Sequence, residues 1–164
     1  MHKVLVSACL LGSPVRYDGA DLKSTDAILS RWLREARVVS FCPEVAGGLP
    51  TPRPPAEIVG GDGQAVLAEH ARVRDCAGQD VSAAFLSGAQ QALVLCQAQN
   101  IKIAILTDRS PSCGSSLIYD GSFTGTRRPG QGVTTALLEQ HEIRVFSQHQ
   151  ISQAAAYLAS LEPA

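Results

Sequence analysis

The chain has 164 residues, 45% hydrophobic and 18% charged, and its 14 basic and 15 acidic side chains leave a net charge of −1. That length is most simply one domain, residues 1–164, which buries roughly 70% of the surface its unfolded form exposes and so folds without staples. With no basic excess, long nucleic acid is not bound by electrostatics alone; a small ligand, phosphorylated or not, stays open. No apolar stretch approaches a membrane span, and the run after Met1 is too short for a signal peptide, so the expected location is the cytoplasm, with no membrane partner. Five cysteines are an odd number for a chain that needs no disulfide, and in a reducing compartment they serve metals, catalysis or packing.

Val4-Leu5-Val6-Ser7-Ala8 predicts a short strand, ending in the turn-rich loop Cys9-Leu10-Leu11-Gly12-Ser13-Pro14 and a second turn at Arg16-Tyr17-Asp18-Gly19. Ser24-Thr25-Asp26 offers a helix cap, and Ile28, Leu29, Trp32 and Leu33 keep helical spacing to about Arg34 or Glu35. Val38-Val39-Ser40-Phe41 predicts the second strand. It ends at Cys42-Pro43-Glu44, and the proline-dense segment to Pro55 reads as an extended, stiff loop outside any sheet. Glu57-Ile58-Val59-Gly60-Gly61-Asp62-Gly63 looks like a hairpin turn, with Val66-Leu67 and Arg72-Val73-Arg74 as weak edge elements. The longest helix starts near Asp80-Val81-Ser82 and stops at Asn100.

Ile101 to Leu106 is the third and most apolar strand. It leads into Ser110-Pro111-Ser112-Cys113-Gly114-Ser115-Ser116. A turn at Asp120-Gly121, a polar loop over 126–132, a helix from Val133 to Gln140, a strand at Ile143-Arg144-Val145-Phe146 and a helix from Ser152 to Leu161 complete the chain.

Strands alternating with helices predict an α/β fold, a largely parallel sheet flanked by helices in the Rossmann-like manner, with the site at the carboxyl ends of the strands. Cys9, Cys42 and Cys113 each follow a predicted strand and sit among glycines and prolines; parallel strands would bring the three thiols to one sheet edge. Cys96, on an apolar helix face, and Cys76 read as structural thiols, and His2, His70, His141 and His149 as scattered surface or core histidines. Three thiolates without a fourth ligand fit either zinc with an open position or a [4Fe–4S] cluster with one free iron. Glu44, two residues after Cys42, is placed for acid/base work, and Ser110 for bonding to substrate or to cluster sulfur.

Those segments, together with Gly47-Gly48-Leu49-Pro50-Thr51-Pro52-Arg53-Pro54-Pro55-Ala56-Glu57, Ile118-Tyr119-Asp120-Gly121 and Gly130-Gln131-Gly132-Val133, resemble the thiouracil desulfidase family over nearly the whole chain. The resemblance implies a [4Fe–4S] cluster held by Cys9, Cys42 and Cys113, with one open iron. It implies catalytic roles for Glu44 and Ser110, and removal of sulfur from thionated uracil compounds without net redox change. Two positions depart from the family pattern: Val15 stands where many relatives have a further cysteine, and Leu106-Thr107-Asp108-Arg109 lacks a lysine that many carry.

The expected partner is a small thiopyrimidine base, nucleoside or nucleotide, rather than thiolated tRNA. Arg16, Arg53, Arg109, Arg127 and Arg128 are candidate phosphate or ring contacts by loop position. The competing classes are a zinc hydrolase with three cysteine ligands and an iron–sulfur or thiol redox sensor; the carboxylate beside Cys42 argues against the sensor, which needs no general base.

Overall fold

Two short apolar strands are buried along their whole length, β1 (Val4–Ser7) and β5 (Ile103–Ile105). Strands covered on both faces belong to the interior of a parallel sheet. The computed structural model, which describes residues 2–162, places them side by side at the centre of a four-stranded sheet in the order β2-β1-β5-β8. β2 is Val38–Phe41 and β8 is Arg144–Phe146, and all three pairings are parallel. The predicted α/β sheet is therefore present, and the chain runs outward from β1 in both directions. Its order reverses between β1 and β5, the topological switch point where such sheets form their ligand crevice.

Side chains alternating through the sheet build two cores. Val4, Val6, Ile103 and Ile105 pack with Leu29 and Trp32 of α1 (Ala27–Arg34) and with Ile151, Ala154 and Leu158 of α6 (Ile151–Leu161). Leu5, Ala104 and Val145 face Ala92 and Cys96 of α4 (Ser82–Ala98) and Leu138 of α5 (Val133–Gln140). The Asp26 carboxylate accepts from the Ile28 and Leu29 N–H groups, the cap its position in sequence predicts.

Three segments differ from expectation. The proline-dense loop opens with a one-turn helix, α2 (Pro43–Ala46); Pro43 lacks a donor but occupies the first helical position, where none is needed. Val66-Leu67 belongs to a helix, α3 (Gly63–Leu67), because the Asp62 carboxylate accepts from the Ala65 N–H and caps it. α3 lies between β3 (Ala56–Val59) and β4 (Arg72–Asp75), which pair antiparallel. The expected loop at 126–132 contains β7 (Arg127–Pro129), antiparallel to β6 (Leu117–Tyr119). These two ribbons enclose a third core of Ile58, Val66, Val73, Phe85, Ile118 and Val133 beside the main sheet.

Backbone contact between α2 and α4 fixes the turn carrying Cys42 and Glu44. A side chain on Gly88 would place its Cβ 1.9 Å from the Pro43 carbonyl oxygen, and one on Gly47 would lie 2.0 Å from that of Ala84. Only glycine permits that approach.

Candidate active site

The carboxyl ends of β1, β2 and β5 open into one cavity of about 690 Å³, inside the ~300–1,000 Å³ range of small-molecule sites. Cys9, Cys42 and Cys113 all line it, whereas Cys76 and Cys96 do not. Cys76 is exposed, and Cys96 is fully buried in the apolar core, where burial pushes its thiol up to about 12.

Each cavity thiol is held by a different local structure. Cys9 sits in a 3-10 turn, Ala8–Leu11, directly after β1, with its Sγ 2.9 Å from the Thr107 hydroxyl. Cys42 is the N-cap residue of α2. Cys113 lies in the loop after β5, where the Ser112 hydroxyl is 3.4 Å and the Ser7 hydroxyl 4.0 Å from its Sγ.

Burial raises all three thiols above their ordinary value; the Thr107 hydroxyl partly offsets this at Cys9, the Val45 N–H at Cys42 and the Ser112 hydroxyl at Cys113. The free protein therefore presents three protonated soft donors, and metal binding would displace their protons. Among the described residues, no three His, Cys, Asp or Glu side chains converge closely enough to hold a single metal ion. Three thiols lining one cavity are the soft donors that a thiophilic metal or an iron–sulfur centre takes.

The Cys113 loop is rigid because helix α5 begins inside it. The N–H groups of Val133 and Thr134 donate to the carbonyls of Pro111 and Ser112, both at 2.8 Å, satisfying donors that a helix start leaves free. Thr135 donates its hydroxyl to the Cys113 carbonyl at 2.9 Å. Gly132 permits the docking, since a Cβ there would lie 2.5 Å from the Ser112 carbonyl carbon.

Asp108 ties the two ends of the loop together. Its Oδ1 accepts from the N–H groups of Arg109, Ser115, Ser116 and Leu117 at 2.9–3.4 Å, and its Oδ2 from the Ser116 hydroxyl at 2.8 Å. Burial pushes this carboxyl up, but the Ser116 hydroxyl and the Arg109, Ser115 and Ser116 N–H groups outweigh it, leaving it below its ordinary value of 3.8. A depressed folded value contributes stability above the unfolded value, and that contribution is lost as pH falls through the folded one. Asp108→Asn should therefore lower the melting temperature at pH 7 by a few degrees and flatten the acid limb below about pH 4. Thermal melts across pH check this, and an unchanged midpoint at pH 7 would count against the loop tie.

Glu44 reaches the same loop from α2. Its Oε2 accepts from the Ser110 hydroxyl at 3.1 Å and the Ser112 hydroxyl at 2.9 Å. Ser110 Oγ itself accepts from the N–H groups of Ser112 and Cys113, at 3.1 and 3.2 Å, so its one hydrogen is free to point at Glu44. Sequence reasoning missed Ser112, which is fully buried and touches Glu44, Ser110 and Cys113. The available signal was serine on both sides of one proline, in a turn that sets the two hydroxyls beside each other.

The predicted arginines separate into three groups. Arg16 and Arg109 line the cavity, and neither pairs with a carboxylate among the described residues. Arg53 also lines it, but its guanidinium is engaged with Glu44 and with backbone. Arg127 and Arg128 lie on the exposed strand β7 and do not line the cavity. Tyr17, Tyr119 and His149 do line it and were not expected there as site residues.

A switch-point cavity lined by three thiols and by a carboxylate hydrogen-bonded to two hydroxyls defines an α/β protein with a small-molecule site. The chain belongs to the 2-thiouracil desulfurase family, whose sequence model matches residues 4–150, and it is an enzyme that cleaves a carbon–sulfur bond. It is similar to a solved structure described as the [4Fe-4S]-dependent thiouracil desulfidase TudS, at 49% identity and a TM-score of 0.89, covering 97% of this chain and 99% of that one. It is also 41% identical over 149 residues to YbbK of Bacillus subtilis (strain 168), a protein described as uncharacterized; the match covers 91% of this chain and 97% of YbbK. No helix among the described residues is long and apolar enough to cross a membrane.

Proposed function

We propose that this enzyme removes sulfur from thionated uracil compounds with a [4Fe–4S] cluster bound by Cys9, Cys42 and Cys113, releasing hydrosulfide and the oxo-pyrimidine. The observation that carries this reading is the meeting of three thiols, Glu44 and Ser110 in one cavity. The similar TudS, described as [4Fe-4S]-dependent, supports it. When bound, a cluster with three protein ligands supplies a soft, open Lewis-acid iron for the thiocarbonyl sulfur.

The chain's own residues handle the proton. Glu44 takes one from water, whose oxygen bonds to the ring carbon as the carbon–sulfur bond breaks. One thiocarbonyl and one water give one carbonyl and one hydrogen sulfide, so neither oxidant nor reductant enters. Ser110, held by two backbone N–H groups, keeps its hydroxyl on Glu44 Oε2 and fixes the direction of that transfer.

The substrate we favour is a nucleotide such as 4-thiouridine monophosphate. Arg16 and Arg109 give the cavity cations that pair with no carboxylate among the described residues, suited to a phosphate. Turnover of thiouracil, thiouridine and its monophosphate tests this. The monophosphate should have the lowest KM, and Arg16→Ala with Arg109→Ala should raise that KM alone. Equal kcat/KM for all three would remove the phosphate contact.

A further inference from the structure

Arg53 was expected to contact substrate, and its surroundings give it another role. Its side chain is 5% exposed, and its donors go to four acceptors in three places. Nε donates to Glu44 Oε1 at 3.1 Å. One terminal nitrogen donates to the Pro50 carbonyl at 3.1 Å and the Thr51 hydroxyl at 3.0 Å, and the other to the Val15 carbonyl at 2.9 Å. The Arg53 N–H also donates to the Tyr17 carbonyl at 2.6 Å, so backbone and side chain together bind the loop after Cys9 to the proline-dense loop after α2. That set commits four of the five guanidinium N–H groups and leaves one for any ligand, too few for the paired donation that a phosphate takes from an arginine.

Glu44 has two oxygens, and Arg53 decides which one works. With Oε1 engaged by Nε, Oε2 is left facing Ser110 and Ser112. The planar fork matters here, because a lysine ammonium is a point charge on a flexible stem and cannot reproduce four fixed directions.

We propose that Arg53 is a positioning residue that orients the Glu44 carboxylate and locks the two loops flanking it, and that it makes no contact with substrate. The proposal rests on the reading of Glu44 as the base. It extends that reading to a residue outside the proton path.

The test is a double-mutant cycle in anaerobically purified protein, using Arg53→Lys, Arg53→Gln, Glu44→Gln and the Glu44→Gln/Arg53→Lys pair, with iron and sulfide content, kcat and KM measured on thiouracil and on thiouridine monophosphate. Both Arg53 variants should retain iron and sulfide. Their kcat should fall about 100-fold, the scale of an ångström's misplacement of a reacting group, with KM unchanged within about twofold on both substrates. The pair should be no slower than Glu44→Gln alone, since residues acting as one unit are not additive.

A KM rise confined to the monophosphate would overturn the proposal in favour of substrate contact. Additive losses in the pair would overturn it by showing a role independent of Glu44. Arg53→Gln that fails to fold leaves the decision to Arg53→Lys, and loss of iron in that variant would overturn the proposal as well. Full activity of Glu44→Gln is a different failure, since it removes the base itself.

Discussion

Glu44→Gln is expected to fold and retain bound iron while losing turnover by about 10²–10⁴-fold, the usual worth of a positioned general base. Glutamine keeps the length and planarity of the side chain, so its carbonyl oxygen can still accept from Arg53 Nε, now 3.1 Å from Oε1. Its amide then faces the Ser110 and Ser112 hydroxyls in place of an oxygen that accepted from both. Those hydroxyls lose an acceptor, at a cost of about 1–3 kcal/mol in stability. The chemical loss is larger in kind, because an amide takes no proton from water. Steady-state release of hydrosulfide, with iron content measured on the same sample, separates the two effects. Full activity would remove Glu44 from the mechanism.

Replacing Cys9, Cys42 or Cys113 by serine should each lose bound iron and all desulfuration. Thiolates are the usual ligands of iron–sulfur clusters, and with three of them there is no spare. Cys76→Ala and Cys96→Ala should keep both iron and activity, because neither side chain lines the cavity. Cys96 is wholly buried in the second core, so its truncation shows as a lower melting temperature instead. Iron and sulfide analysis of the five variants checks the pattern. Iron retained by any of the three serine variants would break the ligand assignment, and iron lost from Cys76→Ala would require a different ligand set.

Much of this site was legible because the strands advertise their ends. Val4 to Ser7, Val38 to Phe41 and Ile103 to Ile105 are apolar runs, each followed by a cysteine among turn-forming residues, and parallel pairing turns that pattern into one sheet edge. Elements outside the sheet were harder. Pro43 reads as a helix breaker and proves to be a helix start, since only its neighbours decide whether its missing N–H matters. Arg127-Arg128-Pro129 is exposed throughout and shows no apolar alternation, so its pairing with Leu117–Tyr119 left no periodic trace.

The same limit applies to side-chain roles. Ser112 and Glu44 are 68 residues apart, and Arg53 and Val15 are 38 apart. Loop position alone therefore did not distinguish an arginine facing ligand from one consumed by backbone carbonyls. The contact between Cys9 and Thr107 is of the same kind: 98 residues separate a sulfur and a hydroxyl that lie 2.9 Å apart.

The most direct test of the whole account is a stoichiometry. Anaerobically purified protein should contain roughly four irons and four acid-labile sulfides per chain, as a [4Fe–4S] centre requires. Given a thionated uracil compound and no reductant, it should release one hydrosulfide for each oxo-pyrimidine formed. Zinc in place of iron, or an iron–sulfur protein that releases no hydrosulfide from such a compound, would contradict it.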